Sequence, residues 1–148
     1  VLRSAGLAIE YASWTWTNQD AEHLNVVIAD PKHQTFWEFL TAALAMVLWG
    51  RSFQKEAVAL LCDNVGAMQS SVALKGKGAN LQIARELAWR KARHGWQYAV
   101  GHLAQEHNVG ADALSRLCSP DPPPLPAERL TAARREPGPL SEFWKLKD

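Results

Sequence analysis

Cysteine, long apolar runs, charge of one sign and early proline are all scarce in this chain, and each scarcity excludes something. Only Cys62 and Cys118 occur in 148 residues, too few for a disulfide framework or a four-thiolate zinc site, and such usage fits a reducing intracellular compartment, cytoplasm or nucleus. The longest strongly apolar stretch, residues 36–49, carries Glu38 and is shorter than the roughly 20 residues of a membrane span, so no membrane role is expected. No signal peptide opens the chain, and Val1 reads as the middle of an element, so a piece of something longer is expected. Sixteen Lys+Arg against fifteen Asp+Glu leave a net charge of +1, which excludes a histone-like polycation and an acidic tail; any nucleic-acid affinity must be local. Proline is nearly absent until residue 119: only Pro31 precedes Ser119, and seven prolines follow it.

What is present is enough for one core, since 47% of the residues are hydrophobic. The proline boundary gives a domain over 1–118 and a Pro-rich linker and tail over 119–148. Residues 119–126 are expected to be an extended, polyproline-like spacer, with capture by a polyproline-reading partner as the alternative. A short helix over 127–135 and docking of Phe143-Trp144 complete the expected tail.

Upstream, periodicity and breakers order the elements. Residues 6–17 (GLAIEYASWTWT) read as a strand or hairpin arm. Residues 18–34 are polar and broken by Asp30-Pro31, with a short buried piece over 24–28. Residues 35–49 form a helix that stops at Gly50. AVALLC at 57–62 reads as a strand buried on both faces. A helix over about 65–74 ends in a Gly-Lys-Gly turn, and the next, 81–94, is capped by Asn80 and stops at Gly95. A strand at 96–100 and a helix at 109–117 capped by Asn108 follow. This is an α/β order around one mixed sheet.

Three carboxylates stand out against that framework. Glu38 lies in a helix apolar on nearly every face, sharing its side with Thr41, Ala42 and Ala45; the alternative is a first-turn Glu left in water. Asp63 directly follows AVALLC, where strand ends direct functional groups; the alternative is a cap for the following helix. Asp112 falls about one turn into the last helix and follows His102, at the end of the preceding strand; the alternative is an ordinary first-turn Asp. Close carboxylates raise one another's pKa and cost stability unless a cation intervenes. With oxygen ligands predominating, the ion is hard, Mg²⁺ or Mn²⁺, and two of them clamp the attacking and leaving oxygens of a phosphodiester.

At these residues the chain resembles the ribonuclease H domain of retrotransposon reverse transcriptases. FWEFLTAALA at 36–45 is similar to the family's glutamate-bearing first helix, and LCDNVGA at 61–67 to its aspartate at the end of the fourth strand. The most specific piece runs from Gly101-His102-Leu103 through Asn108 to ADALSRL at 111–117, similar to the retroelement pattern His-Ile-Pro-Gly, then Asn, then Ala-Asp-Ala-Leu-Ser-Arg. The histidine lies ten residues before the last aspartate in both. The resemblance spans nearly all of 1–118 and implies an RNase H-like mixed sheet flanked by helices, with the first strand missing. It implies that Glu38, Asp63 and Asp112 hold two Mg²⁺ or Mn²⁺ ions, and that His102 assists proton transfer or product release. Asn108 would hold the loop and cap the helix, and Asn64 would touch substrate. Lys75, Lys77 and Arg85, within a basic segment that also holds Arg90, Lys91 and Arg93 beside Trp89 and Trp96, would follow a phosphate backbone; the alternative is the solvated face of a helix burying Leu81, Ala84, Leu87 and Ala88. The implied partners are an RNA:DNA hybrid and an upstream polymerase domain of the same polyprotein.

Two departures qualify what the resemblance implies. Leu103-Ala104-Gln105-Glu106 lacks the family's Pro and Gly. The family's first-strand aspartate has no counterpart, because Val1-Leu2 aligns with the end of the second strand and the aspartate would lie upstream; Glu10, Asp20 and Asp30 do not replace it. Weak or absent catalysis by this chain follows. Hybrid ribonuclease, inactive connection-like nucleic-acid module, and an exonuclease or integrase on the same core are thus the competing functions, in that order.

Overall fold

The computed structural model describes residues 1–50, 57–127 and 132–135, and within them the chain is mixed α/β and divides into two compact units. One unit comprises Val1–Trp14 with the described residues from Leu103 onward; the other is Thr15–His102.

The first unit opens with a hairpin of β1 (Leu2–Ser4) and β2 (Leu7–Tyr11), paired antiparallel. Ala5 and Gly6 form the two-residue turn, both at positive φ (49° and 81°), as the twist of a tight hairpin requires. The alternation of the expected strand is present but ends at Tyr11. A short strand from the carboxyl-terminal region, Ala133–Arg134, adds to β2 in parallel, with Arg135 N–H donating to the Tyr11 carbonyl at 2.8 Å. This strand corrects the helix expected over 127–135: sheet pairing with β2 sets the conformation of residues 133–134, whatever their helix propensity. Residues 122–126 carry no helix or strand, as five prolines between 120 and 126 dictate. Residues 128–131 and Phe143-Trp144 lie outside the described residues. The same unit holds a 3₁₀ turn at Gln105–His107 and a helix, Val109–Ser115.

The second unit contains the larger core. Its first helix, α1 (Asn18–Leu24), falls where the sequence reads as polar loop. A capping box builds it: the Thr17 hydroxyl accepts from Asp20 N–H at 3.2 Å while Asp20 Oδ2 accepts from Thr17 N–H at 2.9 Å. Asp30 then caps a 3₁₀ turn at Pro31–His33, accepting from Lys32 N–H at 2.9 Å, and this turn leads directly into α2 (Gln34–Leu48). The Asp-Pro pair that reads as a breaker is therefore an entry to the helix. Phe39, Leu40 and Ala43 of α2 are wholly buried, and Trp16 stacks on Trp37 with centroids 5.0 Å apart. Full burial of side chains such as Phe39 and Leu40 is worth about 1.5–3 kcal/mol each.

β3 (Val58–Cys62) and β4 (Tyr98–His102) pair in parallel as a two-stranded sheet. Among the described residues the strands thus form two sheets rather than one. β3 alternates instead of being buried on both faces, with Leu61 52% exposed. Two helices complete the unit: α3 (Val65–Ala73) and α4 (Ala79–His94). α4 begins before the expected start, at a Gly78 N-cap; Asn80 sits inside the helix and makes no cap. Its core stripe is Ile83, Ala84 and Leu87, whereas Leu81 is exposed. The helix of the first unit, Val109–Ser115, is α5 below.

Candidate active site

Parallel strands deliver their carboxyl ends to the same edge, so the register Cys62↔His102 places the end of β3 and the end of β4 side by side. Asp63 leaves β3 at that edge, and His102 is the exposed last residue of β4. Asp63 does not cap α3. That task falls to Asn64, whose extended backbone (φ −93°, ψ 114°) and Oδ1, accepting from Ala67 N–H at 2.9 Å, make an ordinary N-cap. The sequence leaves the cap with Asp63 as an alternative; the structure gives it to the neighbour and frees Asp63 from it.

Glu38, on the second turn of α2, is brought to the same place. Its carboxyl is half-buried, and its pKa is raised first by burial and further by the negative charge of Asp63, against hydrogen bonds from Gln34 and Asn64 that lower it. Gln34 Nε2 donates to Glu38 Oε1 at 2.6 Å, one helical turn away. The neighbouring Cys62 registers the same field: burial, then Asp63, then Glu38 push its thiol up to about 11, so it stays protonated near neutrality. Asn64 thus serves two neighbours, capping α3 with its oxygen and hydrogen-bonding the Glu38 carboxyl as well.

The approach of α2 to α3 that makes this possible depends on Gly66. A Cβ there would lie 2.9 Å from Thr35 Cγ2, closer than side chains tolerate, and a tight 3.1 Å from Asn64 Oδ1. Gln34, Thr35, Cys62 and Gly66 are site residues that sequence reasoning missed. Gln34 alone carried a usable signal, its i, i+4 spacing to Glu38.

The remaining expected residues distribute differently. Asp112 lies on α5 in the other unit, where its Oδ1 accepts from Arg116 Nη2 at 2.9 Å and Nε at 3.1 Å. Asn108 occupies the N-cap position of α5, but its side chain makes no cap hydrogen bond, because its backbone (φ −88°, ψ 30°) is not the extended conformation a cap needs. Lys75, Lys77 and Arg85 are exposed. Arg90 is not: it is buried against Glu86, with Nε 2.9 Å from Oε1. Among the described residues no three His, Cys, Asp or Glu side chains group closely enough to hold a metal ion. The pair Glu38–Asp63 is what the structure brings together, two carboxylates whose mutual repulsion a divalent cation would relieve; all-oxygen donors of this kind would fit Mg²⁺ or Mn²⁺ better than zinc.

No helix among the described residues is long and apolar enough to cross a membrane. Comparison of the chain with protein-family models, with curated proteins and with solved structures gives no match.

Proposed function

We propose that this chain is an RNase H-like domain from a retroelement reverse transcriptase polyprotein, whose function is hydrolysis of the RNA strand of RNA:DNA hybrids. The observation that carries this is the convergence of Glu38 and Asp63 at the carboxyl end of β3, with Asn64 rather than Asp63 serving as the helix cap. Glu38 and Asp63 would hold Mg²⁺ or Mn²⁺ through their carboxylate oxygens. The chemistry such ions supply is stabilisation of the charge that builds on the attacking and leaving oxygens of a phosphodiester, leaving a 3′-hydroxyl. Gln34 and Asn64 fix the Glu38 carboxylate, and His102, exposed beside the acidic edge, moves a proton or speeds product release. Lys75, Lys77 and Arg85 follow the phosphate backbone, Asn64 lies along the substrate, and a polymerase domain of the same polyprotein delivers the hybrid.

The test is Mg²⁺-dependent cleavage of a labelled RNA:DNA hybrid by the parent protein, wild type and Asp63→Asn. Hybrid-specific cutting abolished by the substitution is expected; no cutting, or cutting that survives Asp63→Asn, sinks the enzymatic reading. A second reading, an inactive connection-like module that positions nucleic acid for a polymerase, is favoured by the engagement of Asp112 with Arg116. It is separated from the first by the absence of any stabilisation on adding Mg²⁺.

A further inference from the structure

From Asn64 to His102 the only acidic side chain is Glu86, and it is buried against Arg90, so none of this stretch's exposed surface carries a carboxylate. Its cations are disposed otherwise. Leu81, Arg85, Trp89 and Arg93 follow one another at i, i+4 spacing along α4, and all four are exposed, Leu81 by 42% and Trp89 by 38%. They form a stripe about 18 Å long. The Arg93 guanidinium lies over the Trp89 ring, 5.0 Å from its centroid. Two similar pairs adjoin the carboxyl end of the helix: Lys91 Nζ 4.8 Å from the Tyr98 ring, and His94 stacked on Trp96 at 5.7 Å. Lys75 and Lys77 are exposed in the turn before its amino end.

We propose that this face of α4 binds single-stranded nucleic acid, with phosphates on Arg85 and Arg93 and a base stacked on the Trp89–Arg93 pair. Charge selects an anion; the aromatic residue selects which one. An indole 38% exposed with a guanidinium over it offers a planar platform to which every base has a matching face. A duplex keeps its bases inside and would leave Trp89 idle. An acidic peptide matches the charge but brings nothing planar. At roughly 3.4 Å per stacked nucleotide, the stripe accommodates about five. This binding needs no metal; it shares Arg85 with the proposed hybrid path but would take an unpaired stretch of template or transcript through the Trp89–Arg93 pair, which that path does not use.

The experiment is a titration of the full chain into fluorescein-labelled oligo(dT) or oligo(rU), read by anisotropy in EDTA, where cleavage plays no part. Saturable binding is expected, with Trp89→Ala raising Kd by about tenfold, the loss of one stacked base. Trp89→Phe, which keeps a ring, should retain most of the affinity and covers the case in which the alanine variant fails to fold. Arg85→Gln with Arg93→Gln should weaken binding and flatten the dependence of log K on log salt by about 0.7 per cation. No anisotropy change in the wild type overturns the proposal, as does Trp89→Ala binding like wild type. Equal competition by polyglutamate would assign the face to acidic protein partners instead. Because the titration contains no divalent ion, failure here leaves the cleavage reading standing, and a silent hybrid assay leaves this one standing.

Discussion

Two charged regions of the Thr15–His102 unit are built on opposite terms. At the end of β3, two carboxylates of like sign are drawn together in a half-buried setting, and Glu38 is harder to ionise as a result. Along α4, cations are spread over an exposed face, and the one acid has been withdrawn beneath it. The first arrangement costs stability that a bound cation would return. The second costs almost nothing and acts over about a Debye length, through a field that salt weakens. Convergence of like charge stores repulsion that a cation can relieve, whereas dispersion of like charge makes a field that extends beyond the surface.

The sharpest way to break the contrast is at the acid beneath the basic face. Glu86 and Arg90 are 3% and 9% exposed, and removing one partner of such a buried pair costs about 3–5 kcal/mol because the other is left charged and desolvated. Glu86→Gln is expected to lower stability by that order in urea denaturation. A loss below about 1 kcal/mol, the worth of a surface pair, would mean that Arg90 turns outward to water and that the face is more basic than its buried pair implies.

Next in size is Gly66→Ala, which puts a methyl 2.9 Å from Thr35 Cγ2 and is expected to cost about 1–3 kcal/mol by forcing α3 away from α2. The same shift separates Asp63 from Glu38, so whatever stabilisation Mg²⁺ gives the wild type in a thermal melt should shrink in the variant. An undiminished response to Mg²⁺ would detach the carboxylate pair from that helix contact.

Glu38→Gln probes the acidic corner with a smaller effect and the opposite sign. The folded state holds the Glu38 proton more tightly than the unfolded chain does, so the group favours folding at low pH, and this contribution is lost as pH rises from the ordinary value of 4.5 through the raised one. In metal-free buffer near neutrality the glutamine variant is therefore expected to melt above the wild type, with the difference vanishing in acid. Saturating Mg²⁺ should reverse the order, since only the wild type keeps both carboxylates; at a hundredfold excess over Kd the gain is about 2.7 kcal/mol.

How much of this was legible in the sequence depends on the range of the forces involved. α2, α3, α4, β3 and β4 follow from apolar spacing and from breakers such as Gly50 and Gly95, and the ends of most fall within a residue or two of expectation. Glu38 and Asp63 were legible because a carboxylate in an apolar helix and another at a strand end both need a reason. α1 was hidden by its polar composition, although Thr17 and Asp20 carried the capping box in plain spacing. The pairing of Ala133–Arg134 with β2 joins residues more than 120 positions apart, and no local pattern announces such a contact. The transfer of the α3 cap from Asp63 to Asn64 turned on one residue of backbone, finer than periodicity resolves.

The smallest effect concerns the third carboxylate. Glu86–Arg90 and Asp112–Arg116 share the same i, i+4 spacing, but the second pair is 52% and 32% exposed at arginine and aspartate, so water already solvates both charges. Arg116→Ala is expected to cost under about 1 kcal/mol, and less still at high salt. At that low cost the arginine neutralises Asp112 yet releases it readily, as the metal role that the resemblance implies for Asp112 would require. Under the proposed hydrolysis the variant should keep hybrid cleavage and need less Mg²⁺ for half-maximal rate, because an ion at Asp112 would no longer compete with a guanidinium. A rise in the Mg²⁺ requirement would instead make Arg116 a support that orients Asp112, and a destabilisation comparable with that of Glu86→Gln would show that exposure had misjudged the pair.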